Sequence, residues 1–239
     1  MVYMFLKDWF VKPLLEAVFR PEVEGAQHVP STGPAILASN HLSASDHLFM
    51  PIAVQRQIFF LAKSEYFAGG SLKGRAVAAF FRAINQIPMD RSRGRKSTAS
   101  LSAGGRKLAE GELLGIYPEG TRSHDGRLYR GKIGVARLVM ETGAPVVPIA
   151  MINTDIAQPR GTRFPAPWRL KGRKVRTIFG EPLDFSEYRG RTGDRVAARE
   201  ITDRIMESIQ RLSRQEYVDA YAADVRRGLQ DRASEAPAR

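Results

Sequence analysis

The sequence predicts a single α/β domain, with a largely parallel, mixed β-sheet flanked by helices and an amphipathic helix ahead of it. Three observations carry that prediction. The apolar runs Ala35-Ile36-Leu37-Ala38, Ile58-Phe59-Phe60-Leu61-Ala62, Leu113-Leu114-Gly115-Ile116-Tyr117 and Pro145-Val146-Val147-Pro148-Ile149-Ala150-Met151 have the length and unbroken hydrophobicity of strands covered on both faces. Stretches with helical spacing lie between them, and alternation of strand with helix is the pattern of a parallel sheet under helical layers. The chain has 239 residues, 43% of them hydrophobic, and no internal repeat or low-complexity tract divides it, so one large core is expected.

Residues 1–19 place Phe5, Leu6, Trp9, Phe10, Leu14 and Leu15 around Asp8, Lys12 and Glu16, which predicts an amphipathic helix bent or broken near Pro13. It is too charged to cross a bilayer. Its aromatic face suits a lipid headgroup boundary with the lysines beside anionic lipid, or else packing on its own domain. No cleavable signal peptide is expected, because charges interrupt the apolar N-terminus and no small-residue cleavage site follows. Residues 26–45 carry no charge and read as a turn, a buried strand and a functional loop. After Gly69-Gly70 a helix is expected over 72–84 and a strand over 84–89, ending at Asp90-Arg91. An imperfect surface helix follows over 97–108, then the strand that Pro118 stops, a helix over 133–141 and a late strand over 174–179. Two helices close the chain, near 195–212 and 215–229, and the last ten residues read as frayed. The division is therefore 1–24 as a membrane-associating helix region, 25–229 as the domain and 230–239 as a tail.

The formal charge of +12 implies a polyanionic neighbour, namely nucleic acid, anionic lipid or a phosphorylated substrate. Residues 160–176 set Phe164 and Trp168 among Arg160, Arg163, Arg169, Lys171, Arg173 and Lys174, a composition that fits a membrane interface and equally nucleic acid. The absence of cysteine excludes a disulfide framework, a thiolate metal site and a cysteine acyl-enzyme. No paired histidines or clustered carboxylates stand at ligand spacing, so no metal is expected.

The chemistry concentrates in Ser39-Asn40-His41-Leu42-Ser43-Ala44-Ser45-Asp46, directly after a strand. His41 has the proton affinity of a base near neutral pH, and a carboxylate held behind it fixes its tautomer and stabilises the imidazolium. The alternative is a loop histidine and an aspartate capping a helix. Two further strand ends carry Arg91 and then Glu119, Gly120 and Arg122, so three loops share the usual ligand edge of an open α/β sheet. Guanidiniums there suit a bidentate grip on phosphate. Ser43 and Ser45 are the candidate protein nucleophiles, but no Gly-x-Ser-x-Gly elbow surrounds them. His28, His47 and His124 are assigned to the surface.

Asn40 to Asp46 resembles the NHxxxxD motif of the glycerolipid acyltransferases, the lysophosphatidate acyltransferase family, and Tyr117-Pro118-Glu119-Gly120-Thr121-Arg122-Ser123 resembles that family's second hallmark. The segment 84–91, ending in Arg91, and Val146-Val147-Pro148-Ile149-Ala150 resemble two softer blocks in the same order, and 130–137 resembles a helix start of bacterial members. The resemblance implies that His41, held by Asp46, takes the proton of an acceptor hydroxyl that attacks a thioester directly. It assigns Arg91, Glu119, Gly120, Thr121 and Arg122 to the phosphate and glycerol of the acceptor, with Glu119 positioning Arg122 or bonding hydroxyls. The implied acceptor is 1-acylglycerol-3-phosphate, and glycerol 3-phosphate, another lysophospholipid or a glycolipid are the alternatives. Acyl-CoA or acyl carrier protein is the co-substrate, with no cofactor, and the place implied is the cytoplasmic face of the cell membrane, held peripherally on anionic lipid. A basic nucleic-acid-binding protein is the reading from another class, and it leaves these blocks unexplained.

Overall fold

The computed structural model describes residues 2–63, 86–89 and 95–235. The helix expected over 72–84 and Arg91 lie outside them. The strands are β1 (Glu22–Glu24), β2 (Ala35–Ser39), β3 (Ile58–Lys63), β4 (Gln86–Met89), β5 (Leu113–Ile116), β6 (Leu128–Tyr129), β7 (Val146–Ile152), β8 (Arg176–Phe179) and β9 (Tyr217–Val218). Seven of them form one sheet in the order β1-β8-β7-β2-β5-β3-β4, parallel throughout except where β7 meets β8. This is the mixed, largely parallel sheet expected.

Central placement explains the charge-free run at Ala35 to Ala38. Those four side chains are at 0% exposure, because β2 is paired on both edges and covered on both faces. Their two-residue period sorts them: Ile36 and Ala38 enter one core layer, Ala35 and Leu37 the other. Helices α4 (Arg95–Ala109), α5 (Gly134–Thr142) and, after the short α6 (Thr154–Ala157), α7 (Arg195–Ser213) cover the first layer. On the opposite layer lie α3 (Asp46–Ile52) and the N-terminal helix, the latter through Leu15 and Phe19. Gly115 is required where β5 passes Phe60, since a Cβ there would stand 2.3 Å from the ring.

The N-terminal helix is interrupted close to Pro13, as expected, and departs from expectation at Lys7. Between α1 (Val2–Leu6) and α2 (Lys12–Phe19) the chain makes a π-turn over Lys7–Val11, in which Lys12 N–H donates to the Lys7 carbonyl. The disturbance thus sits upstream of Pro13, which lacks the N–H needed to continue the ladder and falls in the first turn of α2. Lys7 does not reach toward solvent. It is 4% exposed, and its ammonium donates to the carbonyls of Val54 (2.6 Å) and Pro51 (3.4 Å) at the end of α3, beside Asp8 at 3.3 Å. Burial lowers its pKa, against the opposing pull of Asp8. A cation on carbonyls at a helix C-terminus is favoured by the helix dipole.

At the other end, the helix expected over 215–229 begins later. Arg214 takes a left-handed conformation that closes α7, and β9 pairs with β6 before α8 (Ala222–Glu235) starts. The α8 helix runs into the stretch read as a frayed tail. The helix expected on the surface over 97–108 buries Leu101 and Leu108 against the sheet.

Candidate active site

β2 and β5 are parallel neighbours, so their carboxyl ends deliver the His41 loop and the 117–123 loop side by side. His41 is 9% exposed, and its ring Nδ1 lies 2.8 Å from Asp46 Oδ2. That same oxygen accepts the backbone N–H groups of Leu42 and Ser43, each at 2.9 Å. An oxygen already accepting two N–H groups is an acceptor toward the ring as well, so Nδ1–H donates and Nε2 carries the lone pair. Asp46 is fully buried at the start of α3, where negative charge is favoured.

Tyr117 lies flat on His41, with ring centroids 3.9 Å apart and planes at 16°. Burial, and next the charge of Asp46, hold its hydroxyl well above the ordinary range, so it stays a neutral phenol. The 117–123 loop also grips the His41 backbone: Ser123 N–H donates to the His41 carbonyl (2.7 Å), and His41 N–H donates to Glu119 Oε1 (3.1 Å). Glu119 Oε2 takes the N–H of Tyr129 at 3.0 Å. Gly120 has φ of +72°, and a Cβ there would stand 3.1 Å from Lys132 Nζ. A cavity of about 260 Å³ opens beside His41, walled by Leu61, Leu101, Ile116 and Ile133, with Lys132 and Arg137 as its charged members.

A family model described as Acyltransferase matches residues 20–152. The chain belongs to the acyltransferase family. The first two relatives found are 1-acyl-sn-glycerol-3-phosphate acyltransferase alpha of Mus musculus, 31% identical over 69% of this chain and 56% of that protein, and the chloroplastic LPAT1 of the same name from Arabidopsis thaliana, 29% identical over 71% and 45%. This acyltransferase spans about half the length of those relatives. Its fold is that of the 1-acyl-sn-glycerophosphate acyltransferase PlsC of Thermotoga maritima, with a TM-score of 0.63 at 24% identity over 87% of this chain and 79% of that one.

The sequence-assigned residues of this acyltransferase fall into three groups. His41, Asp46, Glu119 and Gly120 come together. Thr121 and Arg122 stand half-buried on the same loop, and Arg122 forms no ion pair among the described residues. Arg91 lies outside the described residues. Glu119 bonds two backbone N–H groups and neither Arg122 nor open solvent, being 1% exposed, so it braces the two loops. Ser43 Oγ donates to the Gln158 carbonyl (2.8 Å) and Ser45 Oγ to Ser43 Oγ (3.1 Å), which turns both hydroxyls from the imidazole.

The three other histidines are half-buried, each with a partner. His47 packs its ring against Phe60, Tyr117 and His41, with centroids at 4.9, 5.1 and 5.5 Å. His28 bonds the Phe179 carbonyl at 3.0 Å, and His124 meets the Tyr129 hydroxyl at 3.1 Å. Lys132 and Tyr117 are additions to the site. An aromatic at the head of the hallmark loop was the available signal for Tyr117, and the 130–137 segment, read only as a helix start, was the signal for Lys132.

Asn40 ties the site to the next strand. Its Oδ1 accepts Met151 N–H (2.7 Å), and its Nδ2 donates to the Met151 carbonyl (3.0 Å) and to Gln215 Oε1 (2.7 Å). Asn40→Ala leaves buried polar groups at the β2/β7 end unpaired and is expected to cost about 2–4 kcal/mol, read by denaturant unfolding. An unchanged midpoint would contradict the clamp.

Burial pushes the Glu119 carboxyl from an ordinary 4.5 up to about 8, with the Tyr129 and His41 N–H groups pulling the other way. A raised carboxyl pKa contributes stability that is complete below 4.5 and is lost as pH climbs to about 8. Glu119→Gln is therefore expected to flatten the decline of Tm across that window while lowering Tm at its acid end, where one amide N–H now faces a backbone donor. Parallel Tm profiles for parent and variant would refute this.

Proposed function

We propose that this acyltransferase moves a fatty acyl group from a thioester donor, acyl-CoA or acyl carrier protein, to the free hydroxyl of 1-acylglycerol-3-phosphate, producing phosphatidate. The observation that carries the proposal is the His41–Asp46 contact at 2.8 Å, made by a histidine that itself lines an apolar cavity. His41 Nε2 takes the proton of the acceptor hydroxyl while its oxygen forms a bond to the thioester carbonyl carbon. Asp46 stabilises the resulting imidazolium. The tetrahedral oxyanion collapses, the carbon–sulfur bond breaks, and the imidazolium returns its proton to the departing thiolate. An ester and a free thiol result, with no acyl-enzyme.

The surroundings fit these steps. The first turn of α5, Gly134 and Val135, lines the cavity, and backbone N–H groups at a helix start serve developing negative charge. Arg122, together with Lys132 beside Gly120, provides cations for the acceptor phosphate, and Arg91 is proposed to join them. Leu61, Leu101, Ile116 and Ile133 offer an apolar wall to an acyl chain. Among the described residues no helix is long and apolar enough to cross a membrane. The N-terminal helix leaves Trp9 71% and Leu14 63% exposed, which supports peripheral attachment, proposed to be at the cytoplasmic face.

The test is thiol release from palmitoyl-CoA with lysophosphatidate, glycerol 3-phosphate, a lysophospholipid lacking the phosphomonoester, or no acceptor. Release that requires lysophosphatidate and yields phosphatidate supports the proposal. A preference for glycerol 3-phosphate moves the acceptor, and acceptor-independent release overturns the transfer reaction.

A further inference from the structure

Acyl transfer leaves residues 158–173 without a task, yet their construction is specific. Phe164 is 69% and Trp168 76% exposed, although the residues around them are anchored: Ala166 and Leu170 are each 3% exposed. Pro165 and Pro167 fix the backbone between them, Ala166 N–H donates to the Ala157 carbonyl (2.9 Å), and Arg169 Nη1 donates to the Phe164 carbonyl (3.2 Å). The loop thus holds two aromatic rings in water by design of its backbone, a costly placement unless something apolar receives them.

Charge says what receives them. Between Asp155 and Glu181 the chain has no acidic residue. Arg163 lies 5.6 Å over the Phe164 ring and Arg169 bonds the Phe164 carbonyl, Lys171 and Arg173 follow on the same exposed stretch, and none of the four forms an ion pair among the described residues. Exposed aromatic rings within uncompensated cations match the boundary of an anionic bilayer, where the rings enter the headgroup region and the cations meet phosphates. Position agrees. Leu170 and Val175 pack in the same core layer as Leu15 and Phe19, so the loop and the N-terminal helix lie on one face of the sheet, each with its aromatic residues turned out.

We infer that the 164–168 loop is a second lipid-contacting element, seated with the N-terminal helix on an anionic bilayer and tethered to the catalytic loop. It rests on the membrane-bound acyltransferase reading above. The tether is short: Ser43 Oγ of the His41 loop donates to the Gln158 carbonyl, and Gln158 Nε2 donates to the carbonyls of Thr162 (3.3 Å) and Arg163 (3.2 Å). Arg160 continues the connection. Partial burial, and then the charges of Arg122 and Arg226, lower its pKa, so the basic edge of the loop shares an electrostatic field with the proposed phosphate-binding arginine. Bilayer contact through this loop thereby sets His41 beside an acceptor drawn from the lipid surface.

The experiment compares the full chain with the double variant Phe164→Ser, Trp168→Ser. Flotation with vesicles of phosphatidylcholine and phosphatidylglycerol measures binding, and turnover is measured on lysophosphatidate in those vesicles and on a short-chain, water-soluble lysophosphatidate. Binding and vesicle turnover are expected to fall about tenfold in the variant, with turnover on the soluble acceptor unchanged. Vesicle binding equal to that of the parent overturns the inference, as does binding that duplex DNA abolishes by competition while anionic vesicles do not restore it. A parent chain inactive on both acceptors defeats the acyl-transfer reading instead, and the flotation comparison still decides the role of the loop.

Discussion

His41→Ala is expected to lower acyl transfer by about 10²–10⁴-fold, the span that a positioned general base contributes. The effect is expected on kcat, because in the proposed mechanism the ring serves the proton in flight while Arg122 and Lys132 are proposed to hold the acceptor. KM for lysophosphatidate changes little. The fold survives, since His41 sits at a loop end and the backbone bonds from Glu119 and Ser123 do not need its side chain. The stacked contact with Tyr117 is lost, at about 1 kcal/mol. Circular dichroism and Tm separate lost chemistry from lost structure, and a variant with parental kcat would remove His41 from the mechanism.

Asp46→Asn is expected to reduce kcat by about 10³-fold and to destabilise the loop as well. Three donors converge on Asp46 Oδ2, and Oδ1 has no hydrogen-bond partner among the described residues. If the asparagine oxygen takes that convergent position, the three donations persist but the charge that stabilises the imidazolium is gone. If its amide nitrogen does, donors face donors and the turn from Leu42 to Ser43 loosens. Both orientations hurt catalysis, and only the second adds a large loss of stability. A kcat within a few-fold of the parent would show that Asp46 is merely the first residue of a helix.

Much of this architecture was legible because buried parallel strands write themselves as uncharged apolar runs, as at 35–38 and 146–151. The His41–Asp46 contact was legible because five positions separate the two residues within a single loop and turn, so the contact is local. Roles that depend on distant backbone were not. Glu119 reads as a substrate ligand in sequence and is a brace in the fold, because its partners are the N–H groups of His41 and Tyr129. Lys7 carries no mark of burial, since the carbonyls that receive it belong to residues 51–55. His47 looks like a bystander until β3 and β5 bring Phe60 and Tyr117 to it. The cavity wall likewise draws Leu61, Leu101 and Ile133 from separate elements. The late helix was placed too early because Tyr217 and Val218 fit an amphipathic pattern, and only their partners Leu128 and Tyr129 turn them into a strand.

The most direct test of direct, His41-catalysed transfer is a rapid-quench experiment with palmitoyl-CoA labelled in the acyl group, run with and without lysophosphatidate. The account predicts that label stays on the thioester until lysophosphatidate is present, then passes to phosphatidate without ever residing on protein, and that His41→Ala stops the passage. Label trapped on the chain at Ser43 or Ser45 before acceptor is added, or phosphatidate formed at the parental rate by the variant, would contradict it.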